Sequence, residues 1–240
     1  MSGHSKWSQI KRTKGVLDQK RGLLYSKLSK KISIAIKEGG GGGDPSVNYK
    51  LKSVIDYAKA QGMPNINIER AIKAATGGTA NNINEVVYEG YGPFGTAFLV
   101  EAATDNNNRT FQNIRHIFAK HGGTMGAQGS VAWQFTTKGQ ILVERDSNDL
   151  SDLELAAIDA GAEDVRESEE GLEVYTKPLD LQKVKDALAK TGAKIAQADI
   201  IKESSQGTNL TEDQKPKVDA LFAELENDED AIAVHTSANL

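Results

Sequence analysis

The chain has 240 residues, of which 38% are hydrophobic and 26% are charged, and its formal net charge is −4. This length favours two or three compact units, and no apolar run approaches the roughly 18 residues that a membrane-spanning helix needs. The absence of cysteine excludes disulfides, thiolate zinc sites, iron–sulfur clusters and cysteine nucleophiles. The first residues lack the apolar core of a secretion signal, so we expect a cytoplasmic location and no membrane partner.

The charge is distributed unevenly along the chain. Residues 1–60 carry 13 Lys and Arg against 4 Asp and Glu, a balance of +9, whereas residues 61–240 carry 16 against 29, a balance of −13. A basic segment beside an acidic body is typical of proteins that bind an anionic partner and stay soluble. The pattern favours nucleic acid as the partner, with a solvated helix face as the structural alternative.

The chain begins with a predicted basic arm and a long helix. Residues 1–15 mix basic side chains with Trp7 and lack apolar periodicity, which is typical of an arm that orders on a partner. From residue 16 to about residue 37, apolar residues recur every four positions, as in one stripe of a helix. The stripe consists of Leu24, Leu28, Ile32 and Ile36.

Two further helices complete a three-helix basic domain, predicted over residues 16–78. Five consecutive glycines must end the first helix, because their backbone entropy opposes helix formation. Asp44 and Pro45 then supply an N-cap and a first-turn proline for the second helix. The second helix has apolar residues at Val47, Leu51, Val54, Ile55 and Ala58 and ends at about Gln61, and the third runs from about Asn67 to the stop at Gly77.

The hydrophobic pattern then changes from helical to strand spacing. This change predicts an α+β domain over residues 80–136, to which residues 205–240 return. Its predicted strands cover residues 85–89, 97–100 and 130–135, with a helix over about residues 109–121. The polar residues after Thr104 are predicted to cap that helix. A last helix over residues 213–225 and a last strand over residues 231–234 are expected to join the same sheet.

Between these two parts lies a predicted insertion over residues 137–204. Its elements follow the order strand, helix, strand, strand, helix, strand, which is the βαββαβ order of ferredoxin-like domains. The predicted strands lie near residues 141–143, 165, 172–175 and 195–201, and the helices cover residues 153–160 and 181–190. The predicted fold class is therefore multidomain α+β, with a ferredoxin-like domain inserted into a second α+β domain after a three-helix domain.

No motif points to catalysis or to a bound cofactor. Gly90, Gly92 and Gly95 match a dinucleotide-binding spacing, but Pro93 lies inside the loop and a strand follows where the fingerprint requires a helix. The acidic and Asn-rich turn before the next helix lacks the glycine and glutamate of a calcium loop. No metal-ligand spacing and no nucleophile context is present. We expect a protein that is not an enzyme, with no cofactor, no metal site and no small-molecule substrate.

Basic and aromatic residues form the candidate nucleic-acid site. Lys20, Lys27 and Lys31 are separated by steps of seven and four, which return to nearly one azimuth of the first helix, as a line of phosphates requires. Trp7 is predicted to stack on an unpaired base. The candidate residues of the first third are Lys6, Trp7, Lys11, Arg12, Lys14, Lys20, Arg21, Lys27, Lys30 and Lys31. A second candidate surface consists of Arg109, Arg115, His116 and Lys120.

Several motifs in one order resemble the YebC/PmpR family, which includes a mitochondrial translational activator of cytochrome c oxidase subunit I. The resemblance covers nearly the whole chain. It is carried by the segments at residues 3–7, 20–22, 63–64, 68–72, 88–93, 104–110, 120–123 and 129–133. It implies a helical first domain and two α+β domains, one ferredoxin-like and inserted, with no catalytic residue and no cofactor.

The family resemblance and the basic arm together predict a nucleic-acid-binding regulator of gene expression. The first hypothesis is a DNA-binding transcriptional regulator that holds phosphates with its helical domain. The second is a ribosome-associated translation factor that binds ribosomal RNA and relieves stalling at stretches such as consecutive prolines. DNA, ribosomal RNA and the ribosome are therefore the partners that the sequence leaves open.

Overall fold

The chain forms two compact units in the part that the structure describes. A computed structural model describes residues 19–77, 83–145 and 150–239, with only the backbone of Gln19 and Lys20. The larger unit comprises residues 19–132 with Thr211–Val234, and the smaller comprises Trp133–Leu210 with residues 235–239. The predicted arm of residues 1–15 lies outside the described residues. No described helix combines the length and the apolar character that crossing a bilayer requires.

The larger unit begins with three helices: α1 (Gln19–Glu38), α2 (Tyr49–Ala60) and α3 (Asn65–Thr76). Their apolar faces meet in one core, where Leu28, Ile32 and Ile36 of the predicted stripe are buried and Leu24 is partly buried. Residues three and four apart share one face of a helix, so the four-residue spacing read from the sequence identified the buried side of α1. The three predicted helices are confirmed.

The start of α2 differs from its prediction. Asn48, not Asp44, caps the helix: its buried side chain accepts a hydrogen bond from the Leu51 amide at 3.0 Å. The same side chain donates to the Ala35 carbonyl of α1 at 2.8 Å, which ties the two helices together. Val47, predicted inside the helix, lies before it and is 82% exposed. A Cβ on Gly39 would lie 2.0 Å from the Asn48 amide nitrogen, so the cap requires glycine there.

The larger unit continues with a four-stranded sheet in the order β3-β1-β2-β9. Its strands are β1 (Asn84–Tyr91), β2 (Ala97–Thr104), β3 (Thr124–Met125) and β9 (Ala231–Thr236), and its helices are α4 (Asn107–Lys120) and α7 (Lys215–Asn227). β1 and β2 form an antiparallel hairpin. Phe98 of β2 meets Phe118 of α4 edge to face, with ring centroids 5.9 Å apart. The predicted return of the last strand to this sheet is confirmed.

A buried carboxylate explains why the predicted strand over residues 130–135 is wrong. Both oxygens of Glu89 accept backbone hydrogen bonds, from Gly129 at 2.6 Å and from Val131 and Ala132 at 2.7 Å each. These amides are therefore not available to a neighbouring strand. The chain instead turns around Glu89 and continues into a short 3-10 helix, Ala132–Gln134.

The smaller unit is a ferredoxin-like βαββαβ arrangement with the sheet order β5-β6-β4-β7. Its elements are β4 (Phe135–Glu144), α5 (Leu150–Ala160), β5 (Asp164–Ser168), β6 (Gly171–Thr176), α6 (Leu181–Lys190) and β7 (Ile195–Ser204). All three strand pairs are antiparallel. Alternate residues of the sheet, such as Ile141 and Val174, pack with Leu153 and Leu188 of the helices in one core. A short parallel pair, β8 (Thr208–Asn209) with β10 (Ala238–Asn239), completes the unit.

Candidate nucleic-acid interface

Lys27 of α1 makes an internal contact. Its ammonium group donates a hydrogen bond to the Glu226 carbonyl at the end of α7. Burial lowers the pKa of Lys27 to about 8, although Glu226 and Asp228 nearby act in the opposite direction. A cation that is desolvated in this way is poorly placed to neutralise an external phosphate.

Lys30 and Arg109 converge on the carboxylate of Asp230. Lys30 Nζ lies 2.6 Å from Oδ1 and Arg109 Nη2 lies 3.1 Å from Oδ2, while the Thr110 hydroxyl donates to Oδ2 at 2.6 Å. Burial alone would raise the pKa of Asp230, but the hydrogen bonds from Lys30, Thr110 and Arg109 outweigh it and hold the pKa below its usual value. Asp230 is therefore a charged junction between α1, α4 and the loop before β9.

Lys120 and its neighbour His121 bind a second carboxylate of the same region. Lys120 Nζ lies 2.8 Å from the Glu224 carboxylate, and His121 Nε2 lies 2.6 Å from it. The hydrogen bonds from Lys120 and His121 lower the pKa of Glu224. Because Glu224 belongs to α7, these contacts fix the C-terminal end of α4 against that helix.

One acidic segment, residues 224–230, thus receives four of the cations that the sequence nominated for nucleic acid. The segment has five carboxylates in seven residues. Its partners are Lys27, Lys30, Arg109 and Lys120. Their charge is balanced within the chain, which gives these residues a structural role that the basic pattern did not indicate.

Several other cations of the helical segment, residues 19–77, are at least partly exposed. The segment carries 11 Lys and Arg against 4 Asp and Glu, a balance of +7. Arg21 is exposed, and Lys31 is half-buried with its Nζ 5.8 Å from the centroid of the Tyr57 ring. Four exposed cations on α2 and α3 make no side-chain hydrogen bond or ion pair with any described residue. They are Lys52, Lys59, Arg70 and Lys73.

These four residues were not among the predicted site residues because the charge is densest before them, in the arm and the first helix. The signal was present: Arg70 and Lys73 lie opposite the buried face of the amphipathic α3, and Lys52 and Lys59 flank the buried face of α2. Lys6, Trp7, Lys11, Arg12 and Lys14 lie outside the described residues, as does the side chain of Lys20. Their role stays a prediction.

Helix α4 supplies the second surface. Arg115 and His116 are exposed near its centre and have no hydrogen-bond or ion-pair partner among the described residues. The helix contains no Asp or Glu, so nothing on α4 itself would repel an anion. Asn106 caps its N-terminus by accepting a hydrogen bond from the Arg109 amide at 3.1 Å, which confirms the predicted capping role of the polar turn.

The described residues contain no group of three or more His, Asp and Glu that could hold a metal ion. The loop with dinucleotide-like spacing contains one 3-10 turn, Pro93–Gly95, and is followed by β2 and not by the α-helix that the dinucleotide fingerprint requires. The arrangement offers cationic and amide-bearing surfaces on helices, which are the groups that contact phosphates and bases.

These features define a multidomain α+β protein with a basic helical domain at its N-terminal side. Two family models match it: the TACO1/YebC N-terminal domain over residues 5–78, and the TACO1/YebC second and third domains over residues 83–238. The chain belongs to the TACO1/YebC family.

Relatives and a solved structure agree with this assignment. A probable transcriptional regulatory protein of Thermoanaerobacter pseudethanolicus is 46% identical, with 100% of this chain and 98% of that protein covered. A probable transcriptional regulatory protein of Caldanaerobacter subterraneus is also 46% identical, with 100% and 99% covered. The crystal structure of a conserved hypothetical protein from Aquifex aeolicus has a TM-score of 0.82 and 40% identity, covering 92% of this chain and 91% of that one.

Proposed function

We propose that this protein is a non-enzymatic, nucleic-acid-binding regulator of gene expression that acts on DNA as a transcriptional regulator. The observation that carries the proposal is the set of uncommitted cations on α2 and α3, Lys52, Lys59, Arg70 and Lys73, within a segment of charge +7. The relatives named probable transcriptional regulatory proteins support a role in transcriptional regulation.

The helical segment would act by electrostatic attraction to phosphates. Each phosphate that a lysine or arginine neutralises releases a counterion, so affinity falls steeply with salt. Such contacts position a protein on a duplex but carry no sequence information. The acidic remainder of the chain, with a balance of −14 over residues 78–240, limits non-specific adhesion and leaves the helical segment as the attractive surface.

A ribosome-associated translation factor is the second candidate. The four uncommitted cations lie on two short helices, α2 and α3, and do not define the half-site spacing of a dimeric DNA-binding protein. This arrangement suits recognition of ribosomal RNA by shape and phosphate density. Under this alternative the protein would relieve stalling at stretches such as consecutive prolines.

A charge-matched pair of variants tests the role of the helical segment. One carries Lys52→Gln, Lys59→Gln and Lys73→Gln, and the control carries Lys177→Gln, Lys183→Gln and Lys190→Gln in the smaller unit, all at exposed positions. Binding to duplex DNA and to ribosomal RNA is measured by fluorescence anisotropy over a salt series. We expect the first variant to lose up to about three in the slope of log affinity against log salt, and the control to keep it. Equal behaviour of the two variants would refute the proposal.

Cross-linking in cells separates the two candidates. Bound DNA and bound RNA are sequenced from the same culture for the unaltered chain and for both triple variants. Enrichment at promoters that the helical-segment variant loses supports the transcriptional role. Enrichment on ribosomal RNA without promoter DNA supports the translation factor and excludes the transcriptional regulator.

A further inference from the structure

Helix α4 has a composition unlike that of the other surface helices. Its 14 residues include four amide side chains and three basic residues but no carboxylate. Thr110, Ile114, Ile117 and Phe118 form its buried side. Because these four residues fill the core side of α4, the exposed side chains of Asn108, Gln112 and Arg115 are not needed to pack the helix against the fold.

The opposite side of α4 presents a narrow stripe of donors and acceptors. At about 100° per residue, Asn108, Gln112 and Arg115 fall within roughly 60° of each other, with the small Ala119 continuing the same line. All four residues are exposed. The side chains of Asn108, Gln112 and Arg115 have no hydrogen-bond or ion-pair partner in the described parts of the chain. Their hydrogen-bonding capacity is therefore available to a ligand.

Both ends of the helix are fixed, so the stripe is held in place. At the N-terminal end Arg109 and Thr110 bind Asp230, and at the C-terminal end Lys120 binds Glu224. In the second half, Phe118 packs against Phe98 of the sheet. Recognition groups on a rigid, anchored element keep the geometry that selective hydrogen bonding requires.

We propose that α4 is a recognition helix that reads base pairs in the major groove of duplex DNA. Asparagine and glutamine pair with the N6 and N7 edge of adenine, and arginine pairs with the O6 and N7 edge of guanine. Asn108 and Arg115 are separated by about 10 Å along the axis, which matches about three base-pair steps. The major groove of B-DNA admits a helix, whereas that of A-form RNA is too narrow for side chains to read.

The inference rests on the proposed function and adds sequence selectivity to it. In this arrangement the cations of the helical segment supply affinity, and the amides and arginine of α4 supply the choice of site. Phe111, which is 38% exposed beside the stripe, is placed for apolar contact with a thymine methyl group.

Selection from a random duplex library tests the reading role. The unaltered full-length chain and the variants Asn108→Ala, Gln112→Ala and Arg115→Ala are each used to enrich bound sequences. Asn113→Ala is the matched control, since Asn113 is exposed on the same helix but points about 100° away from Gln112. Thermal melting confirms that each variant is folded before selection.

We expect the unaltered chain and Asn113→Ala to enrich the same short motif. Each variant of the stripe should relax preference at one position and lower affinity for the selected site by roughly 5- to 150-fold, with little change for unrelated duplex. A motif that survives Gln112→Ala and Arg115→Ala overturns the inference.

The remaining outcomes separate the inference from the proposed function. Duplex binding without any enriched motif overturns the inference and leaves nucleic-acid binding intact. Tighter binding of single-stranded or ribosomal RNA than of any selected duplex overturns the inference and favours the translation candidate. Failure to bind any nucleic acid overturns both.

Discussion

Lys30 and Arg109 bind the two oxygens of a single carboxylate, that of Asp230, at 2.6 and 3.1 Å. The sequence analysis assigned these two residues to separate basic surfaces. In the structure the two surfaces adjoin, and the Asp230 carboxylate lies between Lys30 and Arg109 at their border. The two cations at that border therefore have an internal partner, whereas the exposed cations Lys52, Lys59, Arg70 and Lys73 lie on other helices, α2 and α3.

Replacing Asp230 with asparagine should destabilise the larger unit by about 3 kcal/mol, because a largely buried Lys30 would lose its counter-charge. The pKa of Asp230 is depressed, so its contribution is present above the unfolded pKa and disappears as pH falls through the folded value. Urea denaturation of Asp230→Asn and the unaltered protein at neutral and acidic pH measures both effects.

The matched control for that experiment is Asp56→Asn, because Asp56 is exposed on α2 and makes no hydrogen bond or ion pair with a described residue. This variant should keep the denaturation midpoint of the unaltered protein. An equally small effect of Asp230→Asn would show that the junction contributes no stability.

Lys27 should make the stability of the protein depend on alkaline pH. Burial lowers its pKa from 10.5 to about 8, so the folded state loses this proton more readily than the unfolded chain. The contribution of Lys27 to the free energy of unfolding should therefore rise by about 2 kcal/mol between pH 7 and pH 9.5. Lys27→Met should remove this rise, as measured by urea denaturation at both pH values.

The control for Lys27→Met is a lysine whose side chain is exposed to solvent. Lys59→Met, at an exposed position of α2, should retain the alkaline rise. If Lys27→Met and Lys59→Met show the same pH profile, Lys27 titrates normally in the folded protein.

Glu89 should hold the loop around it in place. Burial acts to raise the pKa of this carboxyl, but the backbone donors Gly129, Val131 and Ala132 outweigh burial and lower it. Glutamine at this position offers only one oxygen and turns an amide donor toward donors, so Glu89→Gln should cost about 3 kcal/mol. Hydrogen exchange should accelerate at the amides of the loop.

Glu89→Gln should change the hydrogen exchange of the loop amides as well as the stability of the whole protein. The same amides should remain protected in Glu69→Gln, which alters an exposed glutamate of α3. Unchanged protection in Glu89→Gln would mean that the loop is held by its other contacts, such as the Tyr91 hydroxyl on the Ser130 carbonyl at 2.9 Å.

The substitution Gly22→Ala should change the stability of the protein without changing its affinity for nucleic acid. Gly22 lies in α1, is exposed, and has nothing within 4 Å of an added Cβ. Alanine should therefore stabilise the protein by up to about 1 kcal/mol. We expect affinity for nucleic acid to be unchanged. A gain in melting temperature together with a loss of affinity would indicate that a phosphate approaches the α1 backbone at this point.

The helices were predictable because their signals are local. The stripe that includes Leu28 and Ile32 fixed the buried side of α1, and glycine marked its end. The ferredoxin-like order followed from the sequence of elements alone, as did the return of the last strand to the first sheet. The boundaries of the predicted domains stay a prediction, since chain contacts divide the described residues into two units and place α1 to α3 in the larger.

The errors arose where distant residues decide a local conformation. The strand expected over residues 130–135 is replaced because Glu89 takes two of the amides that a strand would use, those of Val131 and Ala132. The N-cap moved to Asn48 because that side chain also reaches Ala35 of another helix. The internal partners of Lys27 and Lys30 lie 199 and 200 residues further along the chain, which no local pattern reports.

The sequence separation between Lys30 and Asp230 also determines when each of the two residues is synthesised. The ammonium group of Lys30 leaves the ribosome long before Asp230 is made, so the nascent helical segment carries an uncompensated positive charge for most of translation. Contacts of such sequence separation form late in folding. The residues synthesised last therefore supply the ion-pair partner of α1. A prematurely terminated chain would lack the carboxylate that pairs with Lys30.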